Sequence, residues 1–157
     1  MRHAAKHDVP SLVSVFQRSV HELAVSHYSA AQRAAWAPQD ADLAHWQERF
    51  DALTTLLAAQ GAEIAGFIAY TPQGYIDMLF TAPRFARRGI ASLLFTQARS
   101  ALQARGVDQL TTHASLSAQA FFLGQGFEYV HHEVVERHGE RLARALMRCP
   151  ISIGAGV

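Results

Sequence analysis

At 157 residues, half of them hydrophobic, the chain is long enough to bury a sizeable core and is expected to form one domain over residues 1–157. A net charge of +1, from 14 basic and 13 acidic side chains, argues against a dedicated nucleic-acid binder, which carries a clear basic excess. The single cysteine, Cys149, excludes an internal disulfide and a cysteine-based zinc site. No apolar run reaches the length of a membrane span, and the opening "MRHAAKHDVP" lacks the apolar stretch of a signal peptide, so the expected location is the cytoplasm.

In chain order, "MRHAA" supplies a first strand and "HDVPSLVSVFQRSV" a helix. Asp8 is placed to cap that helix, Pro10 suits its first turn, and Leu12, Val15, Phe16 and Val20 recur at helical spacing. "SHYSAAQRAAWAP" reads as a substrate-side loop or a broken helix, and "ADLAHWQERF" as a short helix with Leu43, Trp46 and Phe50 on one face. Three apolar runs punctuated by "QG" and "TPQG" then predict a meander of strands over 52–59, 63–71 and 74–82, ended by Pro83. From 88 to 105 the period changes to 3.6, with Ile90, Leu94, Ala98, Ala101 and Leu102 as the buried stripe and Gly106 as the stop. "VDQLTTHAS" is a strand, "SAQAFFLGQGF" a short helix ending at Gly124 or Gly126, and "FEYVHHEVVER" and "RLARALMRC" are strands joined through "HGE" in a hairpin. This order predicts a layered α/β fold with a mixed sheet, whose ligands favour the carboxyl ends of strands where the strand order switches.

The junction "YIDMLFTAP-RFARRGIA-SLLFTQA" runs from strand to basic loop to glycine to helix. A helix start leaves four N–H groups unpaired, and its dipole adds partial positive charge, so an anion satisfies both. Gly89 and Ala91 leave room for close approach of a phosphate, and Arg84, Arg87 and Arg88 are positioned to add charge-assisted hydrogen bonds. The alternative is a solvated basic turn opening an ordinary helix, although basic residues there oppose the dipole. The P-loop pattern is absent.

"ARRGIA" at 86–91, after a strand ending "LFTAP", resembles motif A of the GNAT superfamily of acyl-CoA-dependent N-acetyltransferases, Q/R-x-x-G-x-G/A. "FFLGQGF" at 121–127 resembles the family's second signature, F-Y-x-x-x-G-F, and the element order matches over nearly the whole chain. The resemblance implies a mixed, mostly antiparallel sheet of six to seven strands flanked by about four helices. It further implies acetyl transfer from acetyl-CoA, as co-substrate, to a primary amine by direct attack in a ternary complex. Carried over residue by residue, the pyrophosphate lies on the amides of Arg87, Arg88, Gly89, Ile90 and Ala91, with Ser92 adding a hydroxyl. The main chain of Leu79, Phe80 and Thr81 hydrogen-bonds the pantetheine arm. The sequence departs from the family pattern twice: Ala86 replaces the usual Gln or Arg, and Phe122 stands where many members have a tyrosine acid. Phe122 is then a packing surface for the cofactor, and Arg84 or Arg87 compensates for Ala86.

An attacking amine must be neutral, so a base is needed. Asp77, which interrupts the apolar "YIDMLF", is the leading candidate; His113 is a base or a substrate ligand. Tyr28, or else Tyr75, is a candidate acid, and His27, Tyr28 and Trp36 are the candidate lining of the acceptor pocket. Each of these also has a packing or surface interpretation. His131 and His132 point to opposite faces of a strand, and no metal is expected. Met78, Met147 and Cys149 read as core. The acceptor is expected to be a small-molecule or peptide amine, with no nucleic-acid or membrane partner and a homodimer possible. A catalytically weak acyl-CoA-binding or regulatory module of the same fold is the alternative function.

Overall fold

The computed structural model describes residues 1–152. The chain opens with a two-residue strand, β1 (Arg2–His3), and three helices, α1 (Val9–Leu23), α2 (Ala30–Trp36) and α3 (Leu43–Asp51). The meander β2 (Thr54–Gln60), β3 (Glu63–Tyr70) and β4 (Tyr75–Thr81) leads into α4 (Ile90–Ala104). Then come β5 (Gln109–Ser115), α5 (Gln119–Gly124) and the hairpin β6 (Glu128–Arg137) with β7 (Glu140–Pro150). His138 and Gly139 close that hairpin with φ of +48° and +81°, the left-handed pair that matches strand twist.

All seven strands form one sheet in the order β1-β2-β3-β4-β5-β7-β6. Every neighbouring pair is antiparallel except β4 with β5. That parallel pair holds for only two residues, Tyr75 opposite Thr111 and Ile76 opposite Thr112. Gly74 makes the close approach possible: its φ is +102°, and a Cβ there would lie 2.7 Å from the Gln109 carbonyl oxygen. The Thr112 hydroxyl donates to the Ile76 carbonyl at 2.9 Å, where the ladder ends. Beyond it β5 continues against β7 while β4 continues against β3, and the two strands part.

The sheet separates two cores. Ile68, Ile76, Leu94, Phe95, Leu102 and Met147 pack on the α4–α5 side, and Leu12, Phe16, Val20, Phe67, Ala69 and Met78 on the α1–α3 side. Alternation along β3 therefore buries both of its faces, and each fully buried Leu or Phe contributes about 1.5–3 kcal/mol. Gly66 on β3 brings α4 down onto the sheet: an added Cβ would sit 2.9 Å from Ile90 Cγ2 and 2.9 Å from the Phe80 carbonyl oxygen.

Several expectations need correction. The segment "SHYSAAQRAAWAP" contains a regular helix, because Ser29 and Gln32 close a capping box around its first turn. With it the described residues hold five α-helices, where about four were expected. Asp8 does not cap α1; its carboxylate takes both Arg2 guanidinium nitrogens, at 2.8 and 2.9 Å, and the Ala5 N–H. The Arg2 hydrogen bond holds the Asp8 carboxyl down at about 2. Residues 52 and 53 finish the turn after α3 rather than starting a strand. Leu43 and Ala101 face solvent, and Phe95 takes the interior position that the assumed stripe omitted. The helix after the basic loop starts at Ile90, since Arg87 and Gly89 both adopt left-handed φ, +61° and +79°.

Candidate active site

Where β4 and β5 part, two different surfaces meet. The first is main chain. Along β4 the side facing β5 has no strand partner after Ile76, which exposes backbone groups across Leu79, Phe80 and Thr81. Past a short 3₁₀ turn at Pro83–Phe85, the left-handed Arg87 and Gly89 swing the following amides outward. Among the described residues the N–H groups of Arg87, Arg88, Gly89, Ile90, Ala91 and Ser92 donate to no acceptor; the first helical bond runs from Leu93 N–H to the Gly89 carbonyl. These are orphan donors at the positive end of a 15-residue helix, and a Cβ added at Gly89 meets nothing within 4 Å. A diphosphate fits that combination of free amides and open space.

The arginine side chains are less uniform. Arg84 is committed to Glu63 and stacks on Phe85, beside a separate cavity on the α1 side, so it does not join the cradle as the sequence suggested. Arg88 lies over the same ring, 5.7 Å from its centre. Gln125 Nε2 lies 3.5 Å from Ser92 Oγ.

The second surface is a side-chain cavity of about 460 Å³ that reaches the splay. One wall is aromatic: Phe16 lies 5.0 Å from Phe80 on β4 and 5.2 Å from Trp46, centre to centre, and Trp36 lies 5.4 Å from Tyr28. Its sheet wall is polar. Tyr75 Oη and His113 Nδ1 are 2.8 Å apart, and His113 Nε2 lies 3.5 Å from Glu133 Oε1. Glu133 in turn accepts from Arg144 Nε at 3.0 Å and Nη2 at 2.8 Å. A polar row thus crosses four strands. Burial pushes the Tyr75 hydroxyl above its ordinary value, reinforced by the Asp77 charge. Burial also lowers His113, reinforced by Arg144, so the imidazole is neutral at pH 7. Glu133 is held below the usual carboxylate range by its hydrogen bond from Arg144.

Asp77 and Trp36 line the cavity, with Asp77 paired to Arg49 Nε at 3.0 Å. Phe122 reaches the cavity floor and packs edge-on against Phe95 and Phe127. Two assignments change. His27 is exposed, near Ser26 and Ser117, and is not part of the cavity wall. Tyr28 lines the cavity with its ring, but its buried hydroxyl donates to the Ala143 carbonyl at 2.6 Å and accepts from Leu116 N–H at 2.8 Å. It ties the turn before α2 to β7 and to the end of β5, and burial raises its pKa. Arg49, Glu133, Arg137 and Arg144 were not singled out from the sequence. The alternation of Glu133, Val135 and Arg137 along one face of β6 was the available signal.

Free amides at a helix start, a splayed parallel pair and an adjoining polar cavity together offer room for an anionic group, an extended arm and a second reactant. The family model for the acetyltransferase (GNAT) domain matches residues 24–147. The chain belongs to the GNAT superfamily and is an acetyl-CoA-dependent acetyltransferase. It is 35% identical over 141 residues to the uncharacterized N-acetyltransferase YafP of Escherichia coli K12, covering 90% of this chain and 89% of that protein. The crystal structure described as "GCN5-Related N-acetyltransferase: Aminotransferase, Class-II" from Rhodopseudomonas palustris superposes with a TM-score of 0.91 at 29% identity, covering 96% and 94% of the two chains. A PaiA N-acetyltransferase from Thermoplasma acidophilum, solved with coenzyme A, shares the fold at TM-score 0.74 and 15% identity, covering 96% and 97%. A phosphinothricin acetyltransferase from Sinorhizobium meliloti, solved with acetyl-CoA, does so at 0.72 and 18%, covering 99% and 90%. No helix among the described residues is long and apolar enough to cross a membrane, and no group of three or more His, Cys, Asp or Glu there is arranged to hold a metal ion.

Proposed function

We propose that this enzyme acetylates the nitrogen of a primary amine by direct transfer within a ternary complex, with Tyr75 and His113 handling the protons. The observation that carries this reading is the Tyr75–His113 pair, 2.8 Å apart on the cavity wall beside the splay. Acetyl-CoA supplies an activated acyl thioester. The amides of Arg87 to Ser92 hold its diphosphate, and the unpaired edge of β4 at Leu79, Phe80 and Thr81 binds the extended arm. An N–H on that edge polarises the acyl carbonyl as charge develops on its oxygen.

As the N–C bond forms and the C–S bond breaks, the nitrogen gives up a proton and the departing sulfur takes one. Phe122 has no proton to give. Tyr75 keeps its proton at neutral pH and is a donor; the neutral His113 is an acceptor, with Glu133 beside it to stabilise the imidazolium. Protonated His113 then returns a proton to Tyr75, which closes the exchange. Asp77 shares the wall and is the second candidate acceptor, with Arg49 already on its carboxylate.

Release of free CoA thiol, measured with a panel of primary amines, tests the reading. Turnover with His113→Asn and Tyr75→Phe reduced, and Asp77→Asn less affected, is the expected outcome. Acetyl-CoA binding without thiol release for any amine would favour a binding or regulatory module instead.

A further inference from the structure

The charges around the acceptor cavity are almost all neutralised by their neighbours. Arg49 has Asp77 at 3.0 Å, and Arg144 has Glu133 at 2.8 Å. Arg137 is different. It lines the same cavity, on the same face of β6 as Glu133 and Val135, and no carboxylate lies within 4 Å of it among the described residues. Glu140 is opposite it in register but does not reach it, and among the described residues the Arg137 side chain makes one hydrogen bond, to the neighbouring Glu136 carbonyl. The cavity therefore holds one uncompensated guanidinium at its rim. His113, lowered by burial and by Arg144, adds no second charge at pH 7. Facing this polar wall are the rings of Phe16, Trp36, Trp46 and Phe80.

We infer that the acceptor is a small primary amine that also carries an oxyanion, a carboxylate or a phosphonate, recognised by Arg137, with its apolar body against the aromatic wall. This rests on the acetyl-transfer reading above and narrows its substrate class. A cavity with one net positive charge disfavours polyamines and lysine-rich tails, since a second ammonium would enter against that charge. The same field disfavours the ammonium form of the reacting nitrogen and favours the neutral amine that attacks. A guanidinium presents a planar fork that fits two oxygens of one anionic group. Val135 and Leu142, opposite each other in register between Arg137 and the Glu133–Arg144 pair, keep the anion's end of the cavity apart from the proton-transfer end.

The experiment measures thiol release with matched amines that differ only in the anion: phenylalanine and phenethylamine, 4-aminobutyrate and butylamine, and 3-aminopropylphosphonate and propylamine. We expect the anionic member of at least one pair to be preferred in kcat/KM by about tenfold or more, with a KM that rises with salt. Arg137→Gln is expected to raise KM for that member about tenfold, to affect the uncharged partner far less, and to leave KM for acetyl-CoA unchanged. Arg137→Lys, which keeps the charge but not the fork, is expected to recover part of the loss. Equal or better turnover of the uncharged amines overturns this inference and leaves acetyl transfer intact, as does an Arg137→Gln variant that weakens both members alike. If no amine is acetylated although acetyl-CoA binds, the acetyl-transfer reading falls and takes this inference with it.

Discussion

The two halves of the cleft are made of different material. At 87–92 the surface consists of six main-chain N–H groups, freed by two left-handed residues and a helix start. On the sheet wall of the cavity, β4 and β5 present the side chains of Tyr75, Asp77 and His113 instead, each held by a partner from another element. A backbone cradle tolerates change in its side chains because its donors belong to the fold. A side-chain wall changes its ligand with each substitution, so one family keeps the cofactor and varies the acceptor.

Substitutions that fail on one side and not on the other sharpen this contrast. The largest effect is expected at Gly89. Gly89→Glu places a carboxylate among the free amides, where it competes with a diphosphate and repels it, and the new residue carries the cost of a left-handed φ, about 1 kcal/mol. KM for acetyl-CoA should rise more than about a hundredfold, by roughly 3 kcal/mol of lost binding. Normal cofactor affinity in the folded variant would place the cradle elsewhere.

Next is His113→Asn, expected to lower kcat by about a hundredfold or more with cofactor affinity unchanged. The pH profile carries the sign. Burial and Arg144 disfavour the imidazolium, so the neutral base survives to lower pH than a free histidine. The acidic limb of kcat should therefore fall through a value below 6.5, and the asparagine variant should lose that limb. A limb that moves with the acceptor's own pKa, or persists in the variant, would assign the base to another group.

A smaller effect separates framework from chemistry. Tyr28→Phe leaves the Leu116 N–H and the Ala143 carbonyl without their partner. Stability should drop by about 1–3 kcal/mol, lowering the melting temperature by roughly 3–10 °C, with activity per folded molecule retained. Loss of activity at unchanged melting temperature would make Tyr28 a catalytic acid after all.

The smallest is a control outside both halves. Asp8 falls to about 2 in the folded protein against 3.8 ordinarily, chiefly through Arg2. A depressed carboxylate contributes its full stability above pH 4 and loses it as pH falls toward 2. Arg2 is half in solvent, so about 1 kcal/mol is expected; Asp8→Asn should flatten that slope in denaturant titrations and leave both KM values alone.

The sequence read well where a signal is local. The meander, the hairpin through His138 and Gly139, the helix after the basic loop and the amides of the cradle all follow from short-range rules on turns, periodicity and glycine. It read less well where one residue could serve two masters. Tyr28 and Arg84 have chemistry suited to a site, yet distant groups, the Ala143 carbonyl and Glu63, use them up. Asp8 looked like a helix cap and became the partner of Arg2.

By itself, then, the sequence determined the element order, the mixed sheet and the run of free amides at the start of α4, because each depends on residues adjacent in the chain. Only the tertiary structure decided which polar groups line the cavity or brace those that do. Tyr75, His113, Glu133 and Arg144 come from four strands whose neighbour relations depend on how β4 parts from β5, and on β7 inserting between β5 and β6. Contacts between residues that far apart are set by packing and register rather than by spacing along the chain.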